Sequence, residues 1–223
     1  MLSTISQFAD QSASPAVRGF LHVPEDPSGD ALVLAHGAGS DCQSKLLIAV
    51  AAAFAEKGFL VLRCDLPFRQ QRPTGPPSPA GAANDREGLR RAVEVLVEIR
   101  KKRAPGRIFL GGHSYGGRQA TMLAAANNNL VDGLLLLSYP LHPPRKPAEL
   151  HTAHFPQLTT PALFVHGARD PFGSPAEMEA ALKIIPARHS LLLIDSAGHD
   201  LLGRKAPNDI PERIVEALLA FSN

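Results

Sequence analysis

The sequence predicts an α/β protein built on a doubly wound, mostly parallel sheet flanked by helices, and two observations lead there. Short apolar runs recur along the chain: Ala31 to Ala35, Phe59 to Leu62, Ile108 to Leu110, Leu134 to Leu137, Ala162 to Val165 and Leu191 to Ile194. Their hydrophobicity is continuous rather than alternating, which is the pattern of strands covered on both faces, as parallel strands are. Between them fall stretches of helical period at 43–57, 84–103, 116–127, 175–185 and 209–221. Strand and helix in alternation make βαβ units and hence a parallel sheet.

The helix starts carry local signals. Asn84-Asp85 offers caps to the second helix, the third opens at a glycine turn, and Ser174-Pro175 supplies a cap followed by proline at the first helical position of the fourth. Val17 to Val23 reads as an antiparallel edge strand. The proline-rich stretch Pro67 to Gly81, PFRQQRPTGPPSPAG, is no interdomain linker, because the alternation resumes after it. It is expected to be a long loop over the C-terminal edge of the sheet, where such folds bind ligands. One domain over residues 1–223 is the expectation for a chain of this length without a break in composition.

Composition narrows the function classes. With 44% hydrophobic and 20% charged residues and a net charge of +2, the chain reads as globular and soluble, not as a disordered or nucleic-acid-binding one. Its longest apolar runs are far shorter than the roughly 18 residues of a membrane helix. The start, MLSTISQFAD, lacks the basic and apolar regions of a signal peptide. Cys42 and Cys64 are the only cysteines, which fits a reduced, cytoplasmic setting.

Gly112-His113-Ser114-Tyr115-Gly116 matches G-x-S-x-G, with an apolar strand before it and a helix after it. A sharp strand-to-helix turn projects a serine hydroxyl out of the sheet, and the following helix N-terminus offers amides to a developing oxyanion. A serine hydroxyl does not attack unaided, so a histidine base and an orienting carboxylate are required. Asp170 follows the strand ending at Val165, and His199 follows the strand ending at Ile194, so all three groups meet one sheet edge in the order Ser, Asp, His. Asp195 and Asp200 compete for the acid position, with Asp170 preferred. His113 is expected to point away from Ser114 and to serve packing.

This set resembles the α/β-hydrolase family over nearly the whole chain from Ala31 onward: an elbow at Ser114, an acid in a G-x-x-D turn at Asp170 and a base in the pair Gly198-His199. A closer likeness is to small dienelactone-hydrolase-like proteins and to the hydrolase-like domain of a nonspecific-lethal acetyltransferase complex subunit. It rests on His36 to Gly39, Asp65 to Arg69, Ser114 to Arg118 and Tyr139 to Pro143. True dienelactone hydrolases use cysteine where this chain has Ser114, which counts against dienelactones as substrate.

His36-Gly37-Ala38-Gly39-Ser40 resembles the loop that donates one oxyanion hydrogen bond, from Ala38 or else Gly39, with the Tyr115 amide as the other donor. His36 is expected to brace that loop. Arg69, Arg72 and Arg118 near this edge suit a substrate carboxylate or phosphate. Arg118 paired with Asp65 is the equally weighted alternative. Tyr139 and His142 are candidate pocket residues. The segment from Ser138 to Pro161 leaves room for at most a short cap and so for small, soluble, anionic substrates.

A dinucleotide fingerprint fails because Cys42 stands where G-x-G-x-x-G needs glycine. His142, His151 and His154 lack the spacing of a zinc site. The reading is therefore a cofactor-free serine hydrolase of small esters or thioesters. The alternatives are a non-catalytic interaction module on the same fold and another acyl transfer, such as perhydrolysis, by the same three residues. Partners beyond a small-molecule substrate are not indicated, and the sequence leaves oligomeric state open.

Overall fold

In the computed structural model, residues 3–222 are described apart from 13, 103–104 and 204–206. Eight strands form a single sheet: β1 Thr4–Asp10, β2 Val17–Val23, β3 Ala31–Ala35, β4 Leu60–Cys64, β5 Ile108–His113, β6 Gly133–Leu137, β7 Ala162–Gly167 and β8 His189–Ile194. Their order is β1-β2-β4-β3-β5-β6-β7-β8. β3 to β8 run parallel, and β1 and β2 are antiparallel. The helices are α1 Lys45–Glu56, α2 Pro67–Gln71, α3 Ala82–Lys101, α4 Tyr115–Ala126, α5 Pro175–Leu182 and α6 Ile210–Ser222.

The continuous apolar runs are explained by the two-residue period of a strand. Ala31, Val33 and Ala35 of β3 join one core cluster, with Leu89 and Val93 of α3 and Ala120 of α4. Leu32 and Leu34 turn to the opposite face, against Leu47 and Phe54 of α1 and Ile214 and Leu218 of α6. β6 divides likewise, Leu134 and Leu136 on one side and Leu135 and Leu137 on the other. Each valine, leucine, isoleucine or phenylalanine among them removed from water stabilises the fold by about 1.5–3 kcal/mol before entropy is counted.

β3 has β4 on one side and β5 on the other. The chain winds outward from β3 to β4, then crosses back to β5, so the loops leaving β3 and β5 diverge. The crevice between them is the topological switch point at which ligands of open α/β sheets bind.

Several expectations are corrected. Val17–Val23 is antiparallel but internal, because Thr4–Asp10, a strand the sequence reading overlooked, pairs along its outer side. Thr4 to Ser6 and most of the strand are exposed, so no apolar pattern announces it. The proline-rich stretch contains a helix, Pro67–Gln71, where proline occupies the first turn and costs no hydrogen bond. α3 begins at Ala82 after a 3-10 turn at Pro79–Gly81, so Asn84 and Asp85 lie inside the helix instead of capping it. Residue 103, placed in that helix by its periodicity, lies outside the described residues. Ser174 does cap α5, in a reciprocal box with Glu177. No described helix is long and apolar enough to cross a membrane.

Two inward-facing histidines make the fold acid-sensitive. His22 is fully buried and accepts the Arg63 Nε–H at 2.8 Å, and burial holds its pKa down at about 4. His154 lies 2.8 Å from the Thr121 hydroxyl, and burial followed by the Arg118 charge holds it at about 4. Unfolded imidazoles titrate near 6.5, so between pH 6.5 and 4 the unfolded chain binds more protons. Stability is therefore complete above pH 6.5 and is lost as pH falls toward 4. Calorimetry across this window should show Tm falling with pH, and His154→Gln should flatten part of the slope. An unchanged slope would remove His154 from the account.

Candidate active site

Ser114 sits between β5 and α4 with φ 52° and ψ −114°, a left-handed conformation that a non-glycine residue adopts only when its surroundings impose it. Its amide donates to Leu137 O at 2.9 Å and its carbonyl accepts from Arg118 N–H at 3.0 Å. The turn is tight because α4 starts against the end of β3. A Cβ on Gly116 would lie 2.6 Å from His36 O, and one on Gly112 would lie 2.8 Å from Ala35 O. Only glycine allows that approach.

The loops after β7 and β8 bring up the other groups. Arg169 N–H donates to Ala197 O at 3.0 Å, tying the two loops together. Across them the Ser114 hydroxyl donates to His199 Nε2 at 2.9 Å, and His199 Nδ1–H donates to Asp170 Oδ2 at 2.8 Å. The Asp170 side chain is fully buried, and its Oδ1 accepts the Phe172 amide at 2.9 Å. The rival carboxylates Asp195 and Asp200 are exposed, and neither bonds to His199. The sequence reading thus brings its three chosen residues into one chain of hydrogen bonds.

His113 does more than fill space. Its Nε2–H donates to the His199 carbonyl at 2.9 Å, its ring lies 5.0 Å from the His199 ring, and burial pushes its pKa down, so it stays a neutral prop. Phe172 packs against the His199 imidazole at 4.3 Å. Phe172 was missed, since nothing local distinguishes a phenylalanine two residues after an aspartate.

A cavity of about 770 Å³ is lined by Ala38 and by Tyr115, the residue after the serine, whereas Ser114 itself is not on its wall and Gly39 is off it and exposed. Neither the Ala38 nor the Tyr115 amide bonds to a protein acceptor among the described residues. His36 braces the loop as expected: Nδ1–H donates to Gly37 O at 2.8 Å and Nε2 accepts the Leu66 amide at 3.1 Å. Burial lowers its pKa, consistent with that neutral tautomer. Tyr115 directs its hydroxyl away from the serine to Asp85 Oδ2 at 2.8 Å, and burial beside that carboxylate raises its pKa.

The substrate-binding candidates separate. Arg118 lines the cavity, and its Nε is buried without a partner. Among the described residues Arg118 forms no ion pair with Asp65, whose Oδ1 accepts the Cys42 amide at 2.8 Å. Arg69 is buried, with its guanidinium turned onto backbone carbonyls, and Arg72 is exposed and donates to Pro76 O at 2.8 Å. Tyr139 is 1% exposed in the core, donating to His151 O. His142 is buried, donates from Nδ1 to Pro143 O at 2.9 Å, and like Tyr139 lies off the cavity wall.

Arg86 and Gln119, joined at 3.0 Å, are wall residues the sequence reading missed. For Gln119 the signal was available: Tyr115, Arg118, Gln119 and Met122 follow the i, i+3, i+4, i+7 spacing of one helix face. No cluster of histidine, cysteine, aspartate or glutamate among the described residues has the arrangement to hold a metal ion.

A family model described as an alpha/beta hydrolase domain matches residues 28–221. The chain belongs to the alpha/beta hydrolase family. Among solved structures it is similar to a dienelactone hydrolase from Anabaena variabilis, with TM-score 0.77 and 19% identity over 99% of each chain. It is also similar to an alpha-beta serine hydrolase homologue from Coxiella burnetii, with TM-score 0.76 and 18% identity over 98% of this chain and 99% of that one. Est1E from Butyrivibrio proteoclasticus matches with TM-score 0.69 and 16% identity over 96% and 98%. At these identities the structural matches establish the shared fold, and the family match supports a hydrolase.

The close approach at the elbow gives a stability contrast within the site. Gly116→Ala should cost about 1–3 kcal/mol in urea unfolding, since its methyl group meets backbone that cannot retreat. Gly39→Ala, with nothing within 4 Å of its Cβ, should stay within about 0.5 kcal/mol of wild type. Equal costs would contradict the tight packing at Gly116.

Proposed function

We propose that this hydrolase is a serine esterase or thioesterase acting on small soluble substrates through Ser114, His199 and Asp170. The observation that carries the reading is the relay from the Ser114 hydroxyl through His199 to Asp170, at 2.9 and 2.8 Å, with the next residue, Tyr115, on the wall of an open cavity. Ser114 Oγ attacks the acyl carbon while His199 Nε2 takes its proton, and Asp170 steadies the imidazolium that results. The carbonyl oxygen becomes an oxyanion between the Ala38 and Tyr115 amides. As the tetrahedral intermediate collapses, His199 returns the proton to the departing alcohol or thiol, leaving an acyl group on Ser114. Water, deprotonated by His199, then attacks that acyl group, and the same proton transfer in reverse releases the acid and restores the serine.

The interaction-module alternative has no use for a strained serine in a three-residue relay beside unpaired amides. The cavity wall suggests the substrate class. Arg86 and Arg118 line it, no carboxylate does among the described residues, and prolines 76, 77, 79 and 143 add apolar wall. A short acyl or alkyl group bearing a carboxylate or phosphate fits both features.

A fluorophosphonate should label Ser114, as located by peptide mass spectrometry, and Ser114→Ala and His199→Ala should abolish labelling. Asp170→Asn should lower kcat by roughly 10⁴-fold, because it presents the wrong partner to His199 Nδ1. Folded wild-type protein that does not label would overturn the reading. For the substrate class, Arg118→Gln should raise KM for a p-nitrophenyl hemisuccinate about tenfold or more while leaving p-nitrophenyl butyrate near wild type. Equal effects on both esters would remove the anion from the proposal.

A further inference from the structure

We propose that Arg69 is a positioning residue for the oxyanion loop, acting on turnover rather than on substrate affinity. The inference rests on the hydrolase reading above. Arg69 projects from α2, and its side chain is almost completely buried, with the guanidinium 4.9 Å over the Phe68 ring. Every nitrogen of its fork donates to backbone oxygen: Nε–H to Ser40 O at 2.9 Å, Nη2 to Ala38 O at 2.9 Å and Gly75 O at 3.2 Å, and Nη1 to Arg72 O at 3.3 Å. Among the described residues no carboxylate shares it, so the charge is directed to peptide dipoles from two segments, the loop after β3 and the proline-rich wall.

The consequence follows from peptide geometry. In a trans peptide the C=O and the following N–H point in opposite directions. Gly37 O is held by the His36 ring and by the Ser40 amide at 3.2 Å, which fixes the peptide carrying the Ala38 N–H. Arg69 holds the next carbonyl, Ala38 O, so the peptide planes on both sides of Ala38 are pinned, one by an imidazole and one by a guanidinium. An oxyanion hole works because its donors are already aimed before charge develops, and loss of that alignment costs rate. Lysine cannot replace this fork, since one ammonium does not span Ser40 O, Ala38 O and Gly75 O in a fixed plane.

The test compares wild type with Arg69→Gln and Arg69→Lys, using p-nitrophenyl butyrate for turnover and a fluorophosphonate for end-point titration of Ser114. Turnover is expressed per titrated site, so unfolded material does not count, and Tm is recorded for each variant. The expected result for Arg69→Gln is a kcat lower by about 10²-fold with KM within about twofold, and a phosphonylation rate reduced in parallel, since the phosphoryl oxygen occupies the same hole. Arg69→Lys should recover only part of kcat, and it carries the test alone if the glutamine variant does not fold. A wild-type kcat per titrated site, or a raised KM with kcat unchanged, would overturn the inference while leaving the hydrolase reading intact. Wild-type protein that neither labels nor turns over would instead sink that reading.

Discussion

The close seating of α4 on the end of β3 is the constraint from which the rest of the site follows. Because Gly112 and Gly116 carry no side chain, the first turn of α4 can rest against Ala35 and the His36 carbonyl. That contact forces the chain to reverse at Ser114 in a backbone conformation it would not choose alone. The strain is of order 1–3 kcal/mol, and the parallel strands on both sides of β5 hold it in place. The same contact brings the Tyr115 amide and the β3 loop to one side of the serine. A single packing decision thus aims the hydroxyl and brings the loop after β3 up to it.

Buried polar groups extend that arrangement outward. Asp85, on α3 and fully buried, accepts the Phe68 amide at 3.0 Å and the Tyr115 hydroxyl at 2.8 Å, so one carboxylate joins α3 to the starts of α2 and α4. A buried charge is tolerated only when its lone pairs are satisfied, and here the partners are elements that form the cavity. Arg69 performs the complementary task with the opposite charge. The cavity wall is therefore held by polar contacts with strict direction, where apolar packing would allow sliding.

What was readable in the sequence divides along physical lines. Six parallel strands announced themselves because burial on both faces leaves no alternation. The serine, aspartate and histidine followed from their positions after strands whose ends share an edge. β1 was not readable, because a mostly exposed edge strand such as Thr4–Asp10 is selected by pairing with β2 and not by burial of its side chains. α2 hid among prolines, one of which opens it. The arginines were the hardest, since Arg69, Arg72 and Arg118 all fall near one edge in the sequence reading, yet Arg69 and Arg72 turn onto backbone carbonyls while Arg118 lines the cavity. Three-dimensional bookkeeping of carbonyls separates them, and no local pattern encodes it.

The burial of Asp170 has a meaning that its role as a hydrogen-bond acceptor does not exhaust. A fully buried carboxylate with one backbone amide and one neutral imidazole is incompletely compensated, which is costly in the resting protein. Under the proposed mechanism its partner acquires a full positive charge only as Ser114 attacks. The ion pair then forms in surroundings of low dielectric, where attraction at 2.8 Å is far stronger than in water. Phe172 and His113 pack against the His199 ring, whose side chain is 20% exposed beside a carboxylate that is fully buried, so solvent dilutes that gain only in part. An interaction that is weak before the reaction and strong during it lowers the barrier without tightening the substrate complex. The same argument explains why exposed Asp195 and Asp200 would serve poorly in that position: water already compensates them, and little would change when the imidazolium appeared.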